Sequence, residues 1–120
     1  MVSKDTDLPE ITGQEFLLWL LRQRKRFRVT GHSMLPLLKP GEEVLIDPKI
    51  SATQPLKPGD LVVAKHPTQP NLQLIKRVAA ISEEGHYFLR GDNPQESTDS
   101  RQFGSVTLDA IIGRVTCRFG

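Results

Sequence analysis

The chain has little of the features that would place it in a specialised class of protein. Its single cysteine, Cys117, excludes an intrachain disulfide framework and any zinc site built from several cysteines. The longest apolar run, Phe16–Leu21, is much shorter than the roughly 20 residues that span a bilayer. Basic residues follow this run instead of preceding it, which is not typical of a secretory signal. We therefore expect a cytoplasmic location.

An excess of charge of one sign is also lacking. The 120 residues carry 16 Lys and Arg against 14 Asp and Glu, which gives a net charge of +2. This balance excludes a strongly basic nucleic-acid-binding tail, and we expect no nucleic-acid partner. The three histidines are scattered without metal-ligand spacing, so no metal site is expected.

Residues 1–28 are predicted to form an N-terminal segment that contains a short amphipathic helix and a basic cluster. Thr12 or Gly13 is placed to cap this helix. Two alternatives stay open for residues 14–28. The helix packs on the rest of the domain with its charges solvated, or it contacts a membrane surface or an acidic partner without spanning a bilayer. One helical face is apolar and comprises Phe16, Leu17, Leu20 and Leu21.

Residues 29–120 are predicted to form a mainly β domain. Short apolar runs are separated by Pro-Gly and Asn-Pro turns, and no alternation of strands with helices points to a Rossmann-type fold. Cys117 has the parity of Val115 and Phe119 in the last run, so its side chain is expected in the core. The predicted strands are Glu42–Asp47, Asp60–Lys65, Leu72–Ile81, His86–Arg90 and Ala110–Phe119.

Ser33 is the candidate nucleophile, because it lies in a turn between Gly31 and Pro36. A serine hydroxyl needs a base, and the adjacent His32 points to the other side of an extended chain. Lys76 is better placed, since apolar neighbours on its strand face (Leu72, Leu74, Val78 and Ala80) depress the pKa of a lysine. A neutral amine can take the proton from Ser33. Lys65 is a rival base, although it lies at a strand end where solvent is expected.

The polar loop Gly91–Arg101 holds hydroxyl, acidic and basic side chains close together. Ser97 is predicted to hydrogen-bond and orient the Lys76 amine, while Asp99 and Arg101 brace the loop. The alternative is a solvated loop in which an Asp99–Arg101 ion pair contributes little to stability.

Together these segments resemble the type I signal peptidases, which are Ser/Lys proteases. The resemblance implies a β-rich antiparallel fold with Ser33 as nucleophile, Lys76 as general base and Ser97 orienting the lysine. It also implies an oxyanion hole that includes the Ser33 backbone N–H, and no metal or cofactor. Some members add a hydroxyl where Gly31 stands here, so a second oxyanion donor stays open. The matching boxes are Gly31–Pro36, Pro58–Val63, Leu74–Val78 and Gly91–Arg101.

The chain most resembles the nickel-type superoxide dismutase maturation proteases. The resemblance rests on its small size, the missing membrane anchor and the sequence of Gly31–Pro36. This implies a protein substrate, the dismutase precursor, from which an N-terminal propeptide is removed. One alternative is an anchor-free general signal peptidase acting at the membrane surface. Another is a self-cleaving repressor-type protease domain, although residues 1–32 contain no Ala-Gly or Cys-Gly bond to cleave. A third is a non-catalytic binding module with a peptidase-like fold.

Overall fold

A computed structural model describes residues 8–120. Within them, seven strands form one antiparallel sheet in the order β1-β2-β7-β3-β4-β5-β6, with a short helix before the first strand. This architecture confirms the predicted mainly β antiparallel fold. The strands are β1 Lys25–Arg28, β2 Glu43–Asp47, β3 Leu61–Lys65, β4 Gln73–Ile81, β5 His86–Arg90, β6 Val106–Thr107 and β7 Ile111–Phe119; the helices are α1 Gly13–Leu20 and α2 Ser100–Phe103.

The five predicted strands all exist, with starts that shift by at most one residue. Two further strands, β1 and β6, were not predicted. β1 has the sequence KRFR and exposes three of its four side chains at the edge of the sheet, so no apolar alternation marks it. β6 has only two residues, which is too short for any periodicity to show.

Two apolar clusters form the core, and β3 shows how the sheet separates them. Leu61 and Val63 belong to the first cluster, while Val62 and Ala64 belong to the second. Since successive side chains of a strand point to opposite faces, the clusters lie on opposite sides of the sheet. Cys117 is 1% exposed, which confirms its predicted place in the core. Burial raises the pKa of its thiol.

The helix α1 begins after Thr12, whose hydroxyl accepts a hydrogen bond from the Glu15 N–H at 3.1 Å. It contacts the sheet through Trp19, whose ring centroid lies 4.7 Å from that of Phe119. The predicted apolar face points away from these contacts and is largely exposed. The division into segments 1–28 and 29–120 stays a prediction. β1 belongs to the common sheet, and residues 1–7 lie outside the described residues.

Candidate active site

Ser33 lies in a turn that follows β1, five residues past the end of that strand at Arg28. Gly31 opens the turn with φ +74°, a left-handed conformation that glycine adopts without steric strain. Met34 is fully buried in the first apolar cluster and holds the turn against the sheet. Ser33 itself is half-buried. Its hydroxyl and its N–H make no hydrogen bond to any residue between 8 and 120.

Lys76 lies in the middle of β4, directly opposite Val62 of β3. Directly opposed residues share a face, so the lysine side chain enters the face of the second apolar cluster. Lys76 is 3% exposed, and its Nζ donates to Ser97 Oγ at 3.0 Å. Burial lowers the pKa of Lys76; the charge of Asp99 opposes this effect, and the charge of Arg101 adds to it. A lysine in this setting gives up its proton more readily than one in water.

The strand neighbours predicted to bury Lys76 do so only in part. Val78 is 1% exposed, but Leu72 is 44% exposed and precedes β4, which begins at Gln73. Ala80 is exposed as well. Its register partner shifts at a bulge after Val78, and a bulge breaks the alternation of side chains along a strand. The loop that follows β5 therefore completes the burial of Lys76.

Ser97, Asp99 and Arg101 form a connected chain of hydrogen bonds behind the lysine. Ser97 Oγ donates to Asp99 Oδ2 at 2.8 Å, and Arg101 Nε donates to Asp99 Oδ1 at 3.0 Å. Asp99 is fully buried and accepts from the Gly91 N–H at 3.0 Å. Burial alone would raise the pKa of Asp99, but the hydrogen bonds from Arg101, Gly91 and Ser97 hold it well below its usual range. The carboxylate is therefore a fixed negative charge.

Asn93 joins the loop that carries Ser97 to the turn of the candidate nucleophile, and the sequence did not indicate this role. Its N–H donates to the Ser33 carbonyl oxygen at 2.8 Å, and its Nδ2 donates to the His32 carbonyl oxygen at 3.0 Å. Gly91 permits the approach: a Cβ there would clash with Ser97 Oγ and lie 2.6 Å from the Ser33 carbonyl oxygen. The Gly-Asp-Asn-Pro sequence indicates a turn, but it does not indicate which residues the turn contacts.

Arg77 ties the same loop to the sheet. Its Nε and Nη2 donate to the two oxygens of Asp92 at 3.0 and 2.9 Å, and its Nη1 donates to the Gly59 carbonyl oxygen at 2.9 Å. Two parallel bonds of this kind fix orientation as well as distance. The residue next to the candidate base therefore anchors the loop that carries Ser97.

The structure brings four of the five predicted side chains into direct contact and links the fifth through its backbone. Lys76, Ser97, Asp99 and Arg101 form the connected group. Ser33 meets it through its carbonyl group, and among residues 8–120 no hydrogen bond joins Ser33 Oγ to Lys76 Nζ. The rival Lys65 is exposed at the end of β3, as expected. In chemical terms, the group presents a buried amine with a depressed pKa beside a serine turn.

A protein-family model described as signal peptidase, peptidase S26, matches residues 16–82 and 83–119. The chain belongs to this family. A relative from Arabidopsis thaliana, mitochondrial ATP-independent inner membrane protease subunit 1b, is 36% identical over 110 residues, covering 73% of this chain and 65% of the relative. Mitochondrial inner membrane protease subunit 1 from Xenopus tropicalis is 31% identical (74% and 65% covered). The Homo sapiens protein of that name is 30% identical (72% and 63% covered).

These comparisons correct one prediction and leave another without support. The expected cytoplasmic location is wrong, because the relatives are named as inner membrane proteases and point to membrane association. The short length of an apolar run says nothing about the surface at which a protein works. The relatives' names also give no support to the nickel-type superoxide dismutase maturation proteases as the nearest subfamily. The chain spans about 65% of the length of the first two relatives, and none of its described helices is long and apolar enough to cross a membrane.

Proposed function

We propose that this chain is a serine endopeptidase of the signal peptidase type, which removes N-terminal segments from precursor proteins at a membrane surface. Ser33 is the nucleophile and Lys76 is the general base. The observation that carries the proposal is the buried Lys76 amine, which lies 3.0 Å from Ser97 Oγ. The loop that holds Ser97 is in turn hydrogen-bonded to the Ser33 turn. The match to the peptidase family supports the reaction class. The names of the relatives support the membrane surface.

The direction of the hydrogen bonds favours Lys76 as a base. Ser97 gives its only proton to Asp99, so its oxygen accepts from the Lys76 amine. The lone pair of a neutral Lys76 is thus left for another hydroxyl, that of Ser33. The Asp99 charge stays fixed because Arg101 and the Gly91 N–H hold it. Ser97 in this mechanism is a positioning residue.

The reaction then proceeds through an acyl-enzyme. Neutral Lys76 takes the Ser33 proton while the serine oxygen attacks the scissile carbonyl carbon, and the Ser33 N–H donates to the developing oxyanion. Lys76 returns the proton to the leaving amine, and water hydrolyses the ester. In enzymes without substrate, catalytic hydrogen bonds are often longer and shorten when substrate binds, which agrees with the absence of a Ser33–Lys76 bond among the described residues. The substrate pairs as an extended strand along a sheet edge, and the edge strand β1 leads directly to Ser33.

Two substrates are compared in the test, because two lines of observation favour different precursors. The signal peptidase family favours a precursor with an N-terminal signal segment, presented with vesicles. The sequence of the Gly31–Pro36 box instead favours a nickel-type superoxide dismutase precursor. Each precursor is incubated with the purified chain and the products are weighed by intact mass. We expect cleavage at a single bond, lost by at least about a thousandfold in Ser33→Ala and retained in the exposed control Ser51→Ala. Cleavage that survives Ser33→Ala contradicts the proposal.

The base assignment is tested by a pair of matched variants. Lys76→Arg places a permanently protonated guanidinium in the site and abolishes cleavage, whereas Lys65→Arg at the exposed end of β3 leaves it unchanged. The reverse result would make Lys65 the base.

A further inference from the structure

The side of α1 that faces away from the sheet carries an apolar stripe. Its four side chains follow helical spacing and lie on one side of the helix. Phe16 is 44% exposed, Leu17 54%, Leu20 56% and Leu21 58%. Isolated exposed leucines are ordinary on protein surfaces, but four adjacent large apolar side chains mark an interaction site.

The helix is held in this orientation by contacts on its other side. Glu15 accepts hydrogen bonds from Arg24 Nε at 3.0 Å and from Thr116 Oγ1 at 2.6 Å. Trp19 packs edge-on against Phe119 of β7. These contacts join α1 to the first and last thirds of the chain. The stripe is therefore presented outward by a fixed helix.

The basic residues after the stripe divide into two groups. Arg24 and Arg26 are neutralised locally by ion pairs with Glu15 at 3.0 Å and Glu43 at 3.2 Å. The other three are exposed and make no ion pair and no side-chain hydrogen bond within residues 8–120; they are Arg22, Lys25 and Arg28. Exposed positive charge thus follows the apolar stripe directly in the chain, beginning at Arg22.

We propose that this surface, the α1 patch formed by Phe16, Leu17, Leu20, Leu21, Arg22 and Lys25, docks the enzyme on the face of an anionic lipid bilayer. The apolar side chains enter the boundary between headgroups and acyl chains, and the cations meet lipid phosphates. Eight helical residues extend about 12 Å, far less than the hydrocarbon thickness, so α1 lies along the surface. Only the purpose of this docking rests on the proposed function. That purpose is to hold the active site near membrane-bound precursors.

Vesicle sedimentation tests the α1 patch without any substrate. The Ser33→Ala chain is mixed with phosphatidylcholine vesicles that contain or lack phosphatidylglycerol. We expect at least tenfold stronger sedimentation with phosphatidylglycerol, and its loss at high salt, because salt screens exposed charges. Equal binding to both vesicles, or binding to neither, overturns the proposal.

Matched double variants locate the contact. Leu17→Gln with Leu20→Gln weakens sedimentation at least tenfold, whereas Leu72→Gln with Leu108→Gln, two exposed leucines elsewhere, leaves it unchanged. Arg22→Gln with Lys25→Gln removes only the preference for phosphatidylglycerol. The control Lys49→Gln with Lys65→Gln removes the same net charge and retains that preference. Equal losses in the test and control variants overturn the proposal, as does a dimer in solution that Leu17→Gln with Leu20→Gln abolishes.

The two proposals fail in different ways. If vesicles do not bind but the precursor is cleaved in solution, the α1 patch is wrong and the protease stands. If vesicles bind as described but no precursor is cleaved, the docking surface stands and the proposed function is wrong.

Discussion

Lys76 is the residue in which folding and chemistry conflict most directly. Burial removes a cation from water, so the folded chain resists the protonation that the unfolded chain accepts freely. Below the ordinary lysine pKa of about 10.4, this difference destabilises the folded state. The penalty grows as the pH falls from there towards the lowered pKa of the folded protein.

Replacement of the lysine by methionine separates the two effects. Lys76→Met keeps the length and apolar character of the side chain, and Ser97 still has Asp99 as its hydrogen-bond partner. We expect an inactive protein with a higher melting temperature at neutral pH and little gain above pH ~10.4. Thermal unfolding followed by circular dichroism measures this, with Lys65→Met as the exposed control. A lower melting temperature at neutral pH would show that Lys76 is not strained by burial.

The pH dependence of cleavage reports on the charges around the lysine. In the proposed mechanism the neutral Lys76 amine is the active form, so we expect the rate to rise with pH through the lowered pKa of Lys76 and to level off above it. Arg101 lowers this pKa, and Asp99 raises it. Arg101→Gln therefore moves the midpoint of the rate profile to higher pH. A midpoint that stays in place or falls would disprove the coupling.

In the proposed mechanism, Asn93 positions the nucleophile Ser33 and does not act on the base Lys76. Asn93→Ala removes the amide that donates to the His32 carbonyl oxygen without adding a charge, and the Ser33 turn is then held less firmly. We expect kcat to fall on the order of tenfold, with KM and the midpoint of the pH profile unchanged. Glu96→Gln is the matched control, because Glu96 contacts the same Asn93 amide but not the Ser33 turn. A shifted midpoint in Asn93→Ala would place Asn93 with the base instead.

At the scale of elements, α1 is attached by a few polar bonds and one aromatic contact. Although burial opposes it, hydrogen bonds from Thr116 and Arg24 lower the pKa of Glu15, so the carboxylate is charged when it bonds them. Glu15→Gln weakens both bonds and lowers the free energy of unfolding by about 1–2 kcal/mol. Urea denaturation measures the change. The exposed Gln14→Glu substitution on the same helix serves as a control and leaves the free energy within about 0.5 kcal/mol.

The elements that the sequence predicted share a clear local signal. Strands such as β2 and β3 are apolar runs that follow Pro-Gly turns, so both their composition and the preceding turn residues indicate them. β1 carries three basic residues and pairs on one edge only, with β2, the next strand in the chain. The bulge after Val78 depends on how β5 pairs with β4. Register and edges are set by how strands pair, which the residue types within one strand do not reveal.

The same distinction applies to the candidate site. Five site residues were predicted because their residue types and the motifs that contain them indicate chemistry. They are Ser33, Lys76, Ser97, Asp99 and Arg101. Asn93 contacts the nucleophile turn across some sixty positions of sequence, and only the folded chain shows that contact. The burial of Lys76 was predicted correctly, but much of it comes from the Gly91–Arg101 loop and not from Leu72 or Ala80.

For the whole molecule, carboxylates with lowered pKa values determine the response to acid. Asp99 and Glu15 are held in the charged form, so each stabilises the fold above its unfolded pKa, and this stabilisation is lost as the pH falls through the folded value. We expect the contribution of these two carboxylates to the free energy of unfolding to be steady above about pH 5 and to decline below about pH 4. Asp99→Asn has lower stability at neutral pH and a flatter acid limb, whereas the exposed Glu83→Gln does not change the curve. Urea titrations at several pH values measure both.

The position of β7 in the sheet has a consequence for timing. The strands around Ser33, β1 and β2, and the strand of Lys76, β4, lie in two halves of the sheet that β7 joins, because it pairs with β2 on one side and β3 on the other. Yet β7 comes after all of these strands in the chain. Translation therefore produces Ser33 and Lys76 well before the strand that aligns their two halves of the sheet. We expect the emerging chain to lack the proposed activity until β7 is complete, so the order of the strands delays that activity during synthesis.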